Sequence, residues 1–302
     1  MMAAENKKNN NNSSTSRRKT STSASTTSSN LSVVDIGINL TNRAFQNNWR
    51  PVLQRVVNAG VDRILLTGTS FSGSKEVLEM AQTWPDETGF KNLFCTVGVY
   101  PHDAKKYSKH DSTNTNNLKE LLVDNPLAVA VGECGLDFNF NFSFRQDQCH
   151  AFREQAILAC ELKMPMFVRE RDAHEDLVKI LDEVFNDESC PSLPPIVIHC
   201  FTGAEQEAQT YIEREYLFGF AGTICKKDRG APLRDMIPRL PLDRIMIETD
   251  ALFMGYRKGR RSSEPVDVVD VAKRLSEVYG LARGDVCETT TNTATSFFNF
   301  SR

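Results

Sequence analysis

From position 33 onward, short runs of Val, Ile, Leu and Phe alternate with longer segments in which apolar residues recur at helical spacing. The short runs predict β-strands and the longer segments predict amphipathic helices. Eight strands are predicted in this way, at residues 33–38, 61–67, 93–99, 127–132, 164–168, 195–198, 216–220 and 244–247. Helices are predicted at residues 49–59, 75–82, 145–162, 173–185, 205–214, 229–237, 265–279 and 283–300.

The alternation of strands and helices predicts an α/β protein. Eight strand–helix units in roughly 270 residues match a single (β/α)8 TIM barrel in number and size. A doubly wound parallel sheet is the alternative, because a count of strands does not establish closure. No linker-like stretch rich in Pro, Gly or Ser interrupts the pattern, so one barrel domain is expected over residues 32–302.

The first 31 residues have a different composition, rich in Asn, Ser and Thr, and they are predicted to be a disordered low-complexity tail. The tail holds five basic residues and one acidic residue, whereas the whole chain has 36 and 39, so the body carries a formal charge of −7. The body is therefore no general binder of nucleic acid. The Ser-rich, basic tail has some features of an organelle import signal, but it lacks the apolar residues of an amphipathic helix.

The composition restricts the classes of protein and the cellular compartments that are expected. With 40% hydrophobic residues and no apolar run near the roughly 18 residues that a membrane helix needs, a transmembrane protein is not expected. The eight cysteines lie too far apart in sequence to form a CxxC pair, so reduced thiols in a cytoplasmic or nuclear compartment are expected. Nothing in the sequence indicates an obligate protein partner.

Polar side chains follow three of the predicted strands. Glu133 follows the fourth strand, His199 the sixth and Asp250 the eighth. Taken singly, a strand-end Glu is usually a helix cap and a lone His is often a core residue. In a barrel, however, the carboxyl ends of the strands meet at one mouth, where active sites lie. Two carboxylates and an imidazole at this mouth predict a site for a divalent cation such as Zn²⁺, Mg²⁺ or Mn²⁺.

Six segments carry a specific resemblance to a known family. They are DIGINLT (35–41), VGVYPHDA (97–104), GECGLDF (132–138), RDAHE (171–175), HCFTG (199–203) and IETDA (247–251). In this set and order the sequence resembles the TatD-like deoxyribonucleases, which are metal-dependent hydrolases on a (β/α)8 barrel. The resemblance covers essentially everything after the tail.

The resemblance implies a function and a set of roles. It implies that Glu133, His199 and Asp250 bind the divalent metal, and that Asp250 and Glu133 are catalytic, with Asp250 orienting or deprotonating the attacking water. The implied reaction is hydrolysis of DNA phosphodiester bonds, often as an exonuclease. A bound metal supports this chemistry by lowering the pKa of water and polarising the phosphoryl oxygen.

The sequence departs from the family pattern after the fifth strand, where relatives usually supply another histidine ligand. Arg169 stands at that place. A guanidinium stays protonated and has no lone pair for a metal. It either clamps a substrate phosphate or pairs with Glu133 or Asp250 and takes the place of the metal's charge.

Further departures lie at the same mouth. The family's His-Pro-His is Tyr100-Pro101-His102 here, and both Tyr100 and His102 are predicted to contact substrate. The His-x-His of many relatives is replaced by Gly37 and Asn39, which makes a second fully occupied metal position less expected. Glu264, in the segment that follows the eighth strand, is a further candidate to support a second ion.

Three hypotheses follow from the sequence. The first is a metal-dependent deoxyribonuclease in which Arg169, His102 and Tyr100 bind the DNA substrate. The second is a catalytically impaired barrel that binds nucleic acid or protein, with Arg169 replacing the metal charge. The third is a metal hydrolase of another substrate, such as an amide or a phosphotriester, because barrels host many chemistries.

Overall fold

The computed structural model describes residues 32–45, 48–107, 109–110, 112–187, 190, 194–257 and 262–300. The predicted disordered tail, residues 1–31, lies outside the described residues.

Eight parallel strands form one sheet whose spatial order follows the sequence from β1 to β8. The strands are β1 Val33–Ile38, β2 Val61–Leu66, β3 Leu93–Val97, β4 Ala128–Asp137, β5 Met166–Arg171, β6 Ile196–His199, β7 Leu217–Phe220 and β8 Ile245–Ile247. The helices are α1 Trp49–Asn58, α2 Phe71–Thr88, α3 Thr113–Val123, α4 Arg145–Leu162, α5 His174–Phe185, α6 Glu205–Glu213, α7 Ala231–Met236, α8 Val268–Tyr279 and α9 Arg283–Phe298.

The sheet closes between β1 and the residues directly after β8. Ile38 forms a parallel bridge with Ala251, and the Asn39 N–H donates to the Ala251 carbonyl at 2.8 Å. The Asp250 N–H donates to the Gly37 carbonyl at 3.0 Å. The result is a (β/α)8 barrel, as the sequence predicts, and the doubly wound alternative is excluded.

Two apolar clusters stabilise the barrel. The larger cluster lies between the strands and the surrounding helices, as expected when amphipathic helices cover a parallel sheet. The smaller cluster combines strand residues with the aromatic rings of the C-terminal segment and includes Ile36, Phe167, Met246, Phe298 and Phe300. Polar groups are therefore concentrated at the carboxyl ends of the strands, where the candidate site lies.

All eight predicted strands are confirmed, but several boundaries are wrong. Strand β4 continues to Asp137, five residues past its predicted end, because its polar residues are also buried. Two elements are absent from the prediction: α3, whose first turns are Thr and Asn rather than apolar residues, and the 3-10 helix Pro101–Lys106. Helix α2 is longer than predicted at both ends, since Ser70 caps its first turn and Gly89 ends it.

The expectation that the cysteines are reduced is wrong for one pair. Cys160 at the end of α4 and Cys190 after α5 form a disulfide, with Cα atoms 5.4 Å apart. These two cysteines are thirty positions apart in sequence, so their proximity arises only from the packing of the two helices.

Within the described segments, no helix is long and apolar enough to cross a membrane.

Candidate active site

The three predicted metal ligands all lie at the carboxyl-terminal mouth of the barrel. Glu133 lies within β4, His199 is the last residue of β6, and Asp250 follows β8; all three side chains are buried. His199 Nε2 is 4.0 Å from Asp250 Oδ1, and the charge of Glu133 acts on both of these residues. The fold therefore brings together residues that are 51 to 117 positions apart in sequence.

Strand β4 has an irregular backbone around Glu133. Its register against β5 shifts between Gly132 and Cys134, and the Glu133 N–H donates to the Gly68 carbonyl at 2.8 Å. Gly135 has a φ of +122°, and a Cβ there would lie 2.0 Å from the Arg169 carbonyl oxygen. Only glycine allows the close approach of the two strands that carry Glu133 and Arg169.

Glu248 orients His199. Glu248 Oε2 lies 2.5 Å from His199 Nδ1, and Oε1 accepts the Cys200 N–H, also at 2.5 Å. When Glu248 is ionised, both of its oxygens accept, so Nδ1 of His199 carries the hydrogen and its Nε2 presents a lone pair on the side of Asp250. This carboxylate–histidine pairing is the usual support for a histidine metal ligand.

Two glycines make room for Glu248. A Cβ at Gly37 would lie 2.3 Å from Glu248 Oε2, and a Cβ at Gly219 would lie 2.4 Å from Glu248 Oε1. The place where many relatives carry the first histidine of His-x-His is therefore filled by the Glu248 carboxylate. This packing explains Gly37 in physical terms, because any side chain there would displace Glu248 and His199.

Arg169 lies among the carboxylates. Its Nη1 is 4.0 Å from Asp250 Oδ2 and its Nε is 3.9 Å from Asp137 Oδ2, and its side chain is mostly buried. Burial lowers the pKa of a guanidinium, but the carboxylates of Glu133, Asp250 and Asp137 outweigh this effect and raise it. Arg169 is therefore a permanent positive charge at the mouth of the barrel.

His102 and Tyr100 extend the site beyond Arg169. His102 Nε2 lies 3.2 Å from Asp137 Oδ2, and the rings of Tyr100 and His102 have centroids 4.7 Å apart. Burial raises the pKa of Tyr100 to about 12, so its hydroxyl stays a donor near neutral pH. Tyr100 and His102 are thus joined to the Arg169 region through Asp137.

Burial sets the protonation of the site. Desolvation raises the pKa of Glu133 and of Asp250, although His199 and Arg169 act in the opposite direction on both. Desolvation also lowers the pKa of His199, which favours the neutral imidazole. Burial raises the pKa of Glu248 to about 8, against the lowering effects of the Cys200 N–H and of Arg169.

Asp137 behaves differently from the other buried carboxyls. Burial raises its pKa, but the His102 contact, the Phe140 N–H and the Arg169 charge outweigh this effect and hold the pKa below its ordinary value. Asp137 therefore stays ionised, and it links Arg169 to His102.

The side chains of Glu133, His199 and Asp250 are the potential ligands of the divalent cation that the sequence predicts. Within residues 32–45, 48–107, 109–110, 112–187, 190, 194–257 and 262–300, no three His, Cys, Asp or Glu side chains are arranged as a formed metal cluster. The chemistry of the donors nevertheless fits a cation, because a neutral imidazole with an oriented lone pair faces two buried carboxyl groups. Carboxylates whose pKa is raised by burial gain most from a nearby positive charge.

Sequence reasoning assigned no role to three residues that shape the site: Glu248, Asp137 and Asp35. Asp35 accepts hydrogen bonds from the Thr249 N–H at 2.9 Å and the Thr249 hydroxyl at 2.6 Å, and so fixes the turn that carries Asp250. For Asp35 the sequence did contain a signal, because a carboxylate inside a predicted buried strand needs hydrogen-bond partners.

Three further residues with side chains that can bind metals lie away from the predicted ligands. Glu170 is buried on the other face of β5, where its Oε1 accepts the Ala173 N–H at 2.9 Å, so it does not substitute for a ligand. His174 begins α5, and its ring packs edge-on against Tyr211. Glu264 accepts a hydrogen bond from Arg55 Nε at 2.8 Å, and the positive charge of Arg55 compensates the carboxylate without a bound metal ion.

Residues 34–299 match the model of the TatD related DNase family. The chain belongs to this family. The match spans every strand of the barrel and all of the residues at its mouth, so the TatD-like resemblance of the sequence is confirmed.

Curated relatives of this TatD-family chain cover most of its length. The 3'-5' ssDNA/RNA exonuclease TatD of Citrobacter rodentium is 37% identical over 251 residues, which are 82% of this chain and 90% of the relative. The protein of the same name from Erwinia tasmaniensis is 36% identical over 270 residues, 88% of this chain and 99% of the relative.

Solved structures share the fold. A TatD-family hydrolase from Entamoeba histolytica superposes with a TM-score of 0.77 at 23% identity, over 88% of this chain and 97% of that one. The TatD homologue YJJV from Escherichia coli superposes with a TM-score of 0.76 at 26% identity, over 88% and 98% of the two chains.

Proposed function

We propose that this TatD-family barrel is a metal-dependent exonuclease that hydrolyses phosphodiester bonds of single-stranded nucleic acid, with DNA as a substrate. One divalent cation is held by Glu133, His199 and Asp250. The observation that carries the proposal is the pair formed by Glu248 and His199, which leaves Nε2 of His199 facing the carboxyl of Asp250. The names of the curated relatives supply the substrate class.

The side chains divide the catalytic work. A divalent cation bound here lowers the pKa of water and polarises a phosphoryl oxygen. Asp250 and Glu133, both buried at the mouth of the barrel, accept the proton of the attacking water. Glu248 keeps the proton on Nδ1 of His199 and so holds the ring in one orientation.

Arg169 binds the scissile phosphate in this proposal. Its guanidinium presents several donors in a plane, which suits two-point binding of a phosphate. Asp137 and Asp250 lie about equally far from it, so the side chain is held between two carboxylates without a close ion pair that would have to be broken. His102 and Tyr100 provide further donors along the substrate.

The first experiment measures divalent metal per protein by calorimetric titration of the EDTA-treated full chain with Mn²⁺, Mg²⁺ and Zn²⁺. The wild type is compared with His199→Ala and Arg169→His. We expect about one ion per wild-type chain and loss of binding in His199→Ala. No binding by the wild type together with binding by Arg169→His would instead identify a catalytically impaired barrel in which Arg169 replaces the metal charge.

The second experiment measures cleavage of 20-mer oligonucleotides labelled at the 5' or the 3' end. Deoxy and ribo strands, single and double, are incubated with each metal, and a 3'-terminal phosphorothioate linkage serves as the block. Stepwise shortening of the 5'-labelled single strand, stopped by the block, is the expected result. Cleavage of amide or phosphotriester substrates with inert oligonucleotides would contradict the proposal.

A further inference from the structure

The loop after β4 exposes aromatic side chains beside the candidate active site. From residue 138 to residue 144 every second residue is Phe, and the residues between them are Asn, Asn and Ser. Phe138 is buried, whereas Phe140, Phe142 and Phe144 are 51%, 60% and 81% exposed. Large apolar side chains grouped in one exposed loop usually mark a binding surface.

Four rings of this region form a continuous surface, the aromatic platform, made of Tyr100, His102, Phe140 and Phe142. Phe140 and Phe142 are stacked, with planes 7° apart and ring centroids 5.6 Å apart. The His102 ring meets both edge-on, with centroids 5.8 Å from Phe140 and 4.8 Å from Phe142. The Tyr100 ring packs against His102 at a tilt of 55°.

The loop is fixed by an active-site carboxylate. Asp137 Oδ1 accepts the N–H groups of Asn139 at 3.1 Å and of Phe140 at 3.0 Å. The Asn141 side chain donates to the Phe138 carbonyl at 2.6 Å, and the Ser143 hydroxyl donates to the His102 carbonyl at 2.8 Å. The exposed rings are therefore held in place before any ligand arrives, which lowers the entropic cost of binding.

Cationic side chains border the platform. The Arg171 guanidinium lies 5.2 Å from the centre of the Phe140 ring. Lys105 Nζ donates to the Phe142 carbonyl at 3.3 Å. On a body with a net negative charge, rings flanked by cations suit a ligand with flat apolar faces and an anionic backbone.

We infer that the aromatic platform stacks unpaired nucleobases of a single strand next to the phosphate that is cleaved. The inference rests on the proposed function. The platform is continuous with the phosphate site, because His102 contacts Asp137 at 3.2 Å and Asp137 lies 3.9 Å from Arg169. Every base has a flat face, so the platform selects single strands without reading their sequence, and paired bases in a duplex do not reach it.

The test uses fluorescence anisotropy of labelled oligonucleotides with the full chain in EDTA, so that binding is measured without cleavage. Phe140→Ala and Phe142→Ala are each expected to weaken binding of a single strand about tenfold, from the typical strength of base stacking on aromatic rings. Phe140→Trp keeps a flat face and is expected to bind within about twofold of the wild type. Phe144→Ala removes a still more exposed Phe from the same loop outside the platform and is the matched control.

A second arm separates stacking from a general effect on the surface. Each protein is titrated with strands in which one nucleotide at a time is replaced by an abasic residue, in deoxy and ribo form. If the rings stack a base, one abasic position weakens the wild type and has no further effect in the Phe140→Ala, Phe142→Ala double variant. Equal losses in both proteins, or tighter binding of duplex than of single strand, would overturn the inference.

The outcomes for the two proposals are distinguishable. If the wild type shortens single strands with metal, and the Phe variants bind and cleave as the wild type does, the stacking inference is wrong and the nuclease stands. If single strands bind through the rings but are not cleaved with any metal, the nuclease is wrong and the stacking surface stands. If the wild type binds no single strand in EDTA, the stacking inference is wrong, and cleavage with metal alone decides whether the nuclease stands.

Discussion

At the scale of single residues, Glu248 has the largest influence on the candidate site. It touches no proposed substrate group, yet its two oxygens hold both the His199 ring and the backbone N–H of Cys200. Sequence patterns do not reveal such a role, because nothing in the segment IETD shows which carboxylate reaches Nδ1 of His199. The three-dimensional contact identifies it as Glu248.

Glu248→Gln is expected to weaken metal binding by about ten- to a hundredfold. The amide offers one acceptor oxygen in place of two, so His199 Nδ1 and the Cys200 N–H no longer both have an acceptor. Calorimetric titration with Mn²⁺ measures the change, and Glu213→Gln, which alters an exposed carboxylate at the end of α6, is the control. Unchanged affinity in Glu248→Gln would show that His199 is not a ligand or needs no support.

Neighbouring residues of β5 illustrate what the sequence does predict. Successive side chains of a strand point to opposite faces, so Arg169 and Glu170 are expected on opposite faces, and the structure confirms it. Glu170 is buried against the helices, and the sequence does not predict how this burial changes the pKa of its carboxyl. Burial raises its pKa to about 7, and the nearby charges of Glu207 and Asp172 add to the effect.

Glu170 is expected to make the free energy of unfolding depend on pH. Because the folded-state pKa lies above the unfolded value of about 4.3, the folded protein binds more protons between these values, and stability falls as pH rises through 7. Glu170→Gln keeps an acceptor for the Ala173 N–H and removes this loss. We expect it to be more stable than the wild type by roughly 3 kcal/mol at pH 8 and similar to it at pH 4.

Urea unfolding at several pH values measures the difference. Glu175→Gln, at an exposed position of α5, is the matched control. If the two variants show the same dependence on pH, burial of Glu170 does not determine it.

At the scale of elements, β4 differs most from its prediction. An apolar run ends at Gly132, and a search for such runs ends the strand there. The structure continues it through Glu133 to Asp137, because the barrel mouth supplies partners for both carboxylates and β5 pairs along the whole length. The residues of the candidate site are therefore the ones that break the strand pattern.

Gly135→Ala is expected to destabilise the barrel by about 3 kcal/mol, because the new Cβ meets the Arg169 carbonyl oxygen and the residue has a positive φ. Gly89→Ala is the matched control. Gly89 also has a positive φ, +73°, but no atom lies within 4 Å of the added Cβ, so a cost of about 1 kcal/mol is expected. Urea unfolding measures both. Equal costs would show that the close approach of β4 and β5 is not what requires Gly135.

At the scale of the whole molecule, the number of strands and their order follow from the hydrophobic pattern, but closure does not. Closure depends on backbone hydrogen bonds between β1 and residues 250–251, beyond the last apolar run. The same residues place Asp250 beside His199. Folding the barrel and assembling the candidate site are therefore one event.

This coupling predicts that metal binding stabilises the entire chain. The proposed ligands come from β4, β6 and the turn after β8, so an ion binds the closed barrel and not the unfolded chain. At a free metal concentration of a hundred times Kd, the stabilisation is about 2.7 kcal/mol, a rise in Tm of roughly 5–10 °C for a chain of this size. Thermal unfolding of the EDTA-treated protein with and without Mn²⁺ measures it.

The rise in Tm should disappear in His199→Ala and persist in His110→Ala, which removes an exposed histidine before α3. An equal rise in both variants would place the ion elsewhere on the chain.

Because the thermal unfolding assay needs no substrate, it separates two possible reasons for an inactive protein. A rise without cleavage leaves the metal site intact and assigns the failure to Arg169 or to the choice of substrate. No rise in the wild type, with a rise in Arg169→His, assigns it to the guanidinium between Asp250 and Asp137.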